Sequence, residues 1–145
     1  MPEWRFFHPI EIRYGDLDPQ GHLNNAKYLT FFEQARVHYL IHLGLFSEEQ
    51  SFLQVGIILA EVRVTFLTPV HFSTQVRVGV RVSELGKKSM ISEYTLQDSA
   101  TGRELAGGSA VLVAYDYGEK QTVLIPRAWR EKIIDFEHLD SVEIQ

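Results

Sequence analysis

One short stretch gathers two carboxylates, an imidazole and the start of a helix: Asp16 and Asp18, His22, then Asn24 and Asn25. Gly15, Pro19 and Gly21 punctuate it as a loop. Asn24 or Asn25 is a natural N-cap, because a short polar side chain accepts a hydrogen bond from the free amides of a helix's first turn. Those amides, with the positive end of the helix dipole, can polarise a carbonyl oxygen on its way to an oxyanion. A carboxylate within reach of the same carbonyl serves as a general base or as a nucleophile. Asp18 is the candidate for that role. Asp16 is expected to bond loop amides, with its charge raising the proton affinity of Asp18. His22 has two readings: a ring that orients substrate or shares the proton work, or a neutral imidazole pinning the loop.

Other polar groups weigh less. Glu33 lies two turns into the helix, off the centre of its apolar stripe; it is a reserve carboxylate, with an i,i+3 partnership to Arg36 the plainer role. His38 and His42 have the i,i+4 spacing of zinc ligands. The residue after His38 is Tyr39 rather than the glutamate of a zinc protease, and no third ligand is evident, so no metal is expected. Gly102, Gly107 and Gly108 precede no helix start and form no phosphate loop. The chain has no cysteine, which excludes disulfides, thiolate catalysis and cysteine zinc sites. No cofactor is implied.

These groups need a frame. Pro9 to Tyr14 reads as a first strand, Ile10 and Ile12 alternating with Glu11 and Arg13. From Asn25 to Leu43, Tyr28, Phe32, Ala35, Tyr39 and Leu43 recur at helical spacing, flanked by Leu29, Phe31 and Leu40, with Gly44 as the stop. A helix apolar over so much of its girth must be wrapped rather than laid on a surface. Ser47 to Phe52 reads as a short helical turn.

Four strand signals follow. In the first, Ile58, Ala60, Val62, Val64 and Phe66 share one face, and Glu61, Arg63 and Thr65 the other. In the second, Val76, Val78, Val80 and Val82 point inward, with Arg77, Arg81 and Ser83 outward. The third spans Lys88 to Gln97 and the fourth Glu104 to Tyr117, where Gly107-Gly108 predicts a bulge or bend. Thr68-Pro69, Glu84 to Lys87 and Asp98 to Gly102 supply the turns. Pro126 opens a last amphipathic segment with Trp129, Ile133 and Phe136 on one face. The sum is a single α+β domain over residues 1–145, a long helix packed on a curved antiparallel sheet whose last four strands form a meander.

At 145 residues the chain suits one domain, able to bury roughly 68–70% of its unfolded surface. Its net charge of −5 argues against a general nucleic-acid binder, and against a polyphosphate ligand unless basic residues cluster. No run approaches the ~18 apolar residues of a membrane span, and the N-terminus lacks an apolar leader core. Together with the missing disulfides these features lead to the expectation of a cytoplasmic protein.

Tyr14-Gly15-Asp16-Leu17-Asp18-Pro19-x-Gly21, followed by Tyr28 and Phe32-Glu33-Gln34-Ala35-Arg36, resembles the 4-hydroxybenzoyl-CoA thioesterase family of hotdog-fold acyl-CoA thioesterases. Asp16-Leu17-Asp18-x-x-x-His22-x-Asn24-Asn25-x-Lys27-Tyr28 is similar to the plant acyl-ACP thioesterases of the same fold. Phe66-Leu67-x-Pro69, Val76 to Val82, Leu85-Gly86-x-x-Ser89 and Ala110 to Asp116 extend the resemblance over most of the chain.

The resemblance implies a hotdog fold, Asp18 as the catalytic aspartate, and a helix-terminal amide near Asn25 that polarises a thioester carbonyl. Beside them His22 is the candidate for supporting the loop, and Asn24 and Tyr28 are candidate substrate contacts. It also implies a homodimer or homotetramer with sites at subunit interfaces. Two positions depart from the pattern. Gln20 stands where the plant-type mechanism uses asparagine, which leaves the aspartate-plus-amide version, and Ser73-Thr74 stand where the family often has an acidic residue.

The implied activity is hydrolysis of an acyl-CoA or acyl-ACP thioester. The phosphates of CoA need cations, and Lys87 and Lys88 at a hairpin tip are the candidates, with Arg63, Arg77 and Arg81 on polar strand faces. Asp-x-Asp-Pro alone is turn chemistry; the helix behind it and the matched pattern turn the reading to catalysis. Three rivals stand. One is a hotdog hydratase or dehydratase, whose His-Arg-x-Pro-Phe and Asp-x-Asn-Pro-x-His patterns are absent. The others are a protein that binds acyl thioesters without turning them over, and a scaffold whose loop only caps the helix.

Overall fold

The structure, a computed structural model, describes residues 3–51 and 56–139. In chain order the elements are β1 (Phe7–Ile10), a single 3₁₀ turn (Tyr14–Asp16), α1 (Asn25–His42), β2 (Ile57–Phe66), β3 (Val76–Leu85), β4 (Ser89–Asp98), β5 (Glu104–Asp116), β6 (Gln121–Thr122) and α2 (Arg127–Glu137). All strand pairs are antiparallel, in the order β1-β3-β4-β5-β2, with β6 on the end of β5.

The helix α1 forms where the apolar stripe places it. Asn24 caps it, its Oδ1 accepting from the Ala26 amide at 2.9 Å. Gly44, at φ +76°, takes the left-handed stop that a side chain would resist. Tyr28, Phe31, Phe32, Ala35, Tyr39 and Leu40 are buried against the sheet, about half of the helix's circumference. The inward valines Val76, Val78, Val80 and Val82 are buried on β3, as their alternation requires.

Several expectations need correction. The four-strand meander is only three strands, β3-β4-β5, because β2 lies beyond β5. The connecting residues 67–75 are too long for a hairpin turn and are tied elsewhere. The amides of Leu67 and Thr68 donate to the Leu105 carbonyl at 3.1 and 3.2 Å, and the Val70 carbonyl accepts from Leu23 at 2.7 Å. The crossing segment is thus stitched to the loop that carries Asp18.

The first strand ends at Ile10 rather than Tyr14, because its partner β3 begins at Val76, opposite Ile10. Ser47 starts a hydrogen-bonded turn, Gln50 amide to Ser47 carbonyl at 2.9 Å, rather than a helix; Phe52 lies outside the described residues.

Bulges account for the remaining differences. In β2, Leu59 faces Leu112 and Glu61 faces Val111, so Ala60 is an extra residue. That insertion flips the side chains before it: Ile58 joins the face of Glu61, Arg63 and Thr65, while Ile57 and Leu59 join Val62, Val64 and Phe66. In β5 the extra residue is Leu105, not Gly107-Gly108, through which the ladder runs without a shift. Gly108 serves close approach instead: a Cβ there would lie 2.7 Å from the Phe32 ring and 2.9 Å from the Arg63 carbonyl.

The short helix α2 packs against β3. Ile133 is fully buried and Trp129 and Phe136 are half-buried against the core. Its Glu137 carboxylate accepts from the Tyr39 hydroxyl and, at 3.1 Å, from the Val82 amide on the edge of β3. Burial pushes the Glu137 carboxyl above its ordinary range, although those two hydrogen bonds oppose it. Among the described residues no helix is long and apolar enough to cross a membrane.

Candidate active site

The loop between Tyr14 and Asn24 is folded around its two aspartates, which have opposite fates. Asp16 is fully buried and spent on structure. Its Oδ2 accepts from the Arg13 amide at 2.8 Å, its Oδ1 lies 3.2 Å from the Arg13 guanidinium and 3.6 Å from Lys27 Nζ, and its carbonyl takes the Asn24 amide at 2.8 Å. Burial alone would raise its pKa; the Arg13 hydrogen bonds and charge, with Lys27, outweigh it and hold the carboxyl below its ordinary range.

Asp18 is half-buried, and only one of its carboxylate oxygens is engaged. Oδ1 accepts from the amides of Gln20 at 2.9 Å and His22 at 3.0 Å. Oδ2 has no hydrogen-bond partner among the described residues. The main chain repeats the clamp, Asp18 amide to His22 carbonyl at 2.8 Å and Gly21 amide to Asp18 carbonyl at 2.9 Å. Fixed by these four bonds, Asp18 lines a cleft of about 220 Å³ with His22, Leu23, Asn25, Tyr28 and the segment Phe66 to Pro69.

The start of α1 supplies the other half. The Ala26 amide is taken by the Asn24 side chain and the Lys27 amide by the Asn24 carbonyl at 2.9 Å. The Asn25 amide has no partner among the described residues, and Asn25 lines the same cleft as Asp18. An unpaired first-turn amide and a half-free carboxylate are the two groups that acyl transfer needs on either side of a carbonyl. Tyr28 forms an apolar wall, its ring edge-on to Phe66 with centroids 4.8 Å apart. Burial, and then the charge of Asp18, raise the Tyr28 phenol pKa, so it stays protonated.

His22 holds the loop through its main chain rather than its ring. The ring meets that of His71 edge to face, centroids 4.9 Å apart, across an isolated bridge between the two residues. Nothing in the sequence signals His71. The exposed apolar end of β2, Phe66-Leu67 before Thr68-Pro69, is a cleft wall that could have been suspected from a large apolar pair running into a proline turn.

Not every candidate converges here. Lys87 and Lys88 are exposed at the β3–β4 hairpin, and Lys88 Nζ lies 3.5 Å from Thr122 Oγ1. They sit at the opposite end of β3 from His71, about 30 Å along the strand. Arg77 and Arg81 are occupied on the outer face of the sheet, by Gln97 at 2.8 Å and Glu93 at 2.8 Å. Glu33 is exposed and lies 3.8 Å from Arg36. The rings of His38 and His42 diverge, His38 stacking on His8 at 3.9 Å and His42 against Phe6 and Phe136.

The sequence profile of the thioesterase-like superfamily matches residues 12–133, from the last residues before the aspartate loop into α2. The chain belongs to this superfamily. Relatives in it align along most of this chain. An acyl-CoA thioesterase of Haemophilus influenzae, YbgC, is 26% identical over 92% of this chain and 96% of its own. A chloroplastic acyl-acyl carrier protein thioesterase of Arabidopsis thaliana, ATL3, is 23% identical over 93% of this chain and 72% of its own. A thioesterase from Thermus thermophilus, solved in complex with coenzyme A and zinc, superposes with a TM-score of 0.82 at 30% identity, covering 97% of this chain and 100% of that one. The hotdog fold of the superfamily is thus the fold found here, one long helix on a curved antiparallel sheet.

Proposed function

We propose that this protein hydrolyses the thioester of an acyl-CoA, or of an acyl carrier protein, to a free acid and a thiol. What carries the reading is one juxtaposition: Asp18 with Oδ1 clamped and Oδ2 free, in the cleft where α1 leaves its first amide unpaired. The thioester carbonyl fits between them, its oxygen on the Asn25 amide and its carbon toward Oδ2. Charge that develops on that oxygen is met by the amide and the helix dipole.

Two routes use this geometry. In one, Oδ2 attacks the carbonyl carbon, the thiolate leaves, and water then cleaves the mixed anhydride to return the carboxylate. In the other, Oδ2 takes a proton from water as the hydroxide adds, and the proton leaves with the thiol. Label found in Asp18 after a single turnover in ¹⁸O water establishes the anhydride route, because only attack of water on the Asp18 carboxyl carbon of the anhydride places it there.

The Gln20 and His22 amides serve both routes by holding the carboxylate in one rotamer. Asn24 fixes the helix start, and Tyr28 with Phe66 shields the cleft from water. Lys87 and Lys88 are proposed to meet the phosphates of the carrier; at their distance from Asp18 they reach a substrate only from a second copy of the chain. The relatives named for acyl-CoA and acyl carrier protein thioesters support both carriers. Asp18→Asn tests the reading, since asparagine keeps an oxygen for the two loop amides. Release of free thiol should fall by about 10² to 10⁴-fold with thermal unfolding nearly unchanged; a variant that keeps its rate defeats the assignment.

A further inference from the structure

The segment that crosses from β2 to β3 meets the Asp18 loop at one β-bridge, His22 opposite His71. One step to the side, the Leu23 amide donates to the Val70 carbonyl at 2.7 Å. His22 and His71 are therefore a non-hydrogen-bonded pair of an antiparallel ladder. That arrangement brings two Cα atoms to about 4.5 Å and sets both side chains on one face. His71 is exposed and His22 half-buried, so small ions reach them. Among the described residues neither ring has a hydrogen-bond partner. Two imidazoles are thus held side by side with their nitrogens unclaimed.

Geometry decides what such a pair can hold. The lone pair of an imidazole nitrogen lies in the ring plane, so two rings converge on one ion only where their planes cross. The planes of His22 and His71 stand at 80°, with centroids 4.9 Å apart. Zn–N bonds of about 2.0–2.1 Å at a tetrahedral angle put two ligating rings about 5 Å apart, centre to centre. His8 and His38 give the contrast: their rings stack at 3.9 Å with planes within 11°, so their nitrogens run parallel and do not converge.

We propose that His22 and His71 form a two-imidazole site for a divalent transition-metal ion of the zinc, copper or nickel class. Imidazole suits these ions, whereas Mg²⁺ and Ca²⁺ take oxygen ligands. Among the described residues no third histidine or carboxylate is placed to join the pair, so water completes the shell and the ion exchanges. The chain's net charge of −5 favours a cation. The site's position gives the ion a consequence. The segment Phe66 to Pro69 walls the Asp18 cleft and leads on to His71, while the His22 amide clamps Asp18 Oδ1. A bound ion braces the aspartate loop against the wall of its own cleft. Neither the binding nor the bracing depends on the thioesterase reading.

The probe is Zn²⁺, titrated calorimetrically into the full chain after stripping with EDTA, with no histidine tag attached. One equivalent should bind and raise the thermal midpoint, and EDTA should reverse the rise. His22→Ala and His71→Ala should each abolish that binding, and His38→Ala should leave it intact. Loaded instead with Cu²⁺, the wild type should show electron-spin coupling to two imidazole nitrogens, whereas Mg²⁺ should not bind. His71→Gln repeats the comparison should the alanine variant fail to fold. No binding of Zn²⁺, binding that survives the loss of either histidine, or binding lost in His38→Ala overturns the site. Zn²⁺ should also slow amide hydrogen exchange in both residues 18–23 and residues 70–72. Binding without that slowing overturns the bracing and leaves the site standing.

Discussion

Asp18 and His22 are tied to each other twice without the imidazole: the His22 amide donates to Asp18 Oδ1 at 3.0 Å, and the Asp18 amide donates to the His22 carbonyl at 2.8 Å. The histidine's backbone aims the carboxylate, and its ring packs on His71. The consequence is a contrast between two substitutions at one position. His22→Ala keeps the amide and should lower thioester hydrolysis by less than about tenfold, whereas His22→Pro lacks the N–H and should lose most of it, approaching Asp18→Asn. Steady-state rates on one acyl-CoA decide this; an alanine variant as inactive as the proline variant would assign the ring a direct role.

Asn25→Pro makes the matching test of the helix terminus. Proline is tolerated at the first helical position, where its missing N–H breaks no internal bond. Asn24 already has φ −64° and ψ 134°, the extended conformation that a following proline requires. The helix should therefore survive, with stability changed by about 0.5 kcal/mol or less. With the carbonyl's donor removed, kcat should fall by about 10² to 10³-fold, while Asn25→Ala, which keeps the amide, should stay close to wild type. Circular dichroism melts alongside kcat separate loss of donor from loss of fold.

Two titrating groups give stability opposite slopes with pH. His8 has its pKa lowered below 6.5, by burial and then by the charge of His38, on which its ring stacks at 3.9 Å. The unfolded chain then binds the extra proton more readily, so stability is lost as pH falls below 6.5 through the lowered value. Glu137 has its pKa raised above 4.5, chiefly by burial, so the folded chain holds the proton more tightly and stability declines as pH rises from 4.5 through the raised value. Melting temperatures across this range should show both limbs. His8→Phe should flatten the acid limb alone and Glu137→Gln the other alone; a profile indifferent to both substitutions contradicts the assignment.

The Phe32 ring lies flat on Tyr94, centroids 4.9 Å apart and planes within 8°, over the backbone of Gly108. A methyl at Gly108 would meet that ring at 2.7 Å and the Arg63 carbonyl at 2.9 Å, so either α1 or β2 must give way. Gly108→Ala should cost about 1–3 kcal/mol in chemical denaturation. Gly102→Ala has open space around its Cβ but φ +77°, and offers a comparison in which strain acts without a clash.

Much of this molecule was legible in the order of its residues. Asn24, the apolar repeat from Tyr28 to Leu43 and Gly44 specify α1 locally, because caps and periodicity act within a few residues. The valines of β3 and the turn residues between Asp98 and Gly102 did the same for the sheet. The pattern around Asp16 and Asp18 marked the loop and pointed to Asp16 as the carboxylate spent on structure; that Arg13 and Lys27 would be the cations closing on it came only with the fold. The rest depended on contacts between distant segments. Ala60 and Leu105 become bulges only when β2 and β5 pair, and β2 leaves the meander because residues 67–75 are bonded to Leu23 and Leu105. His71 reaches His22 across that same crossing, and Lys87 and Lys88 are carried to the far end of β3 by a strand whose length the sequence gives but whose neighbours it does not. Local preferences are encoded by neighbours in the chain; which oxygen stays free and which edge stays open are settled only when remote segments compete for the same partners.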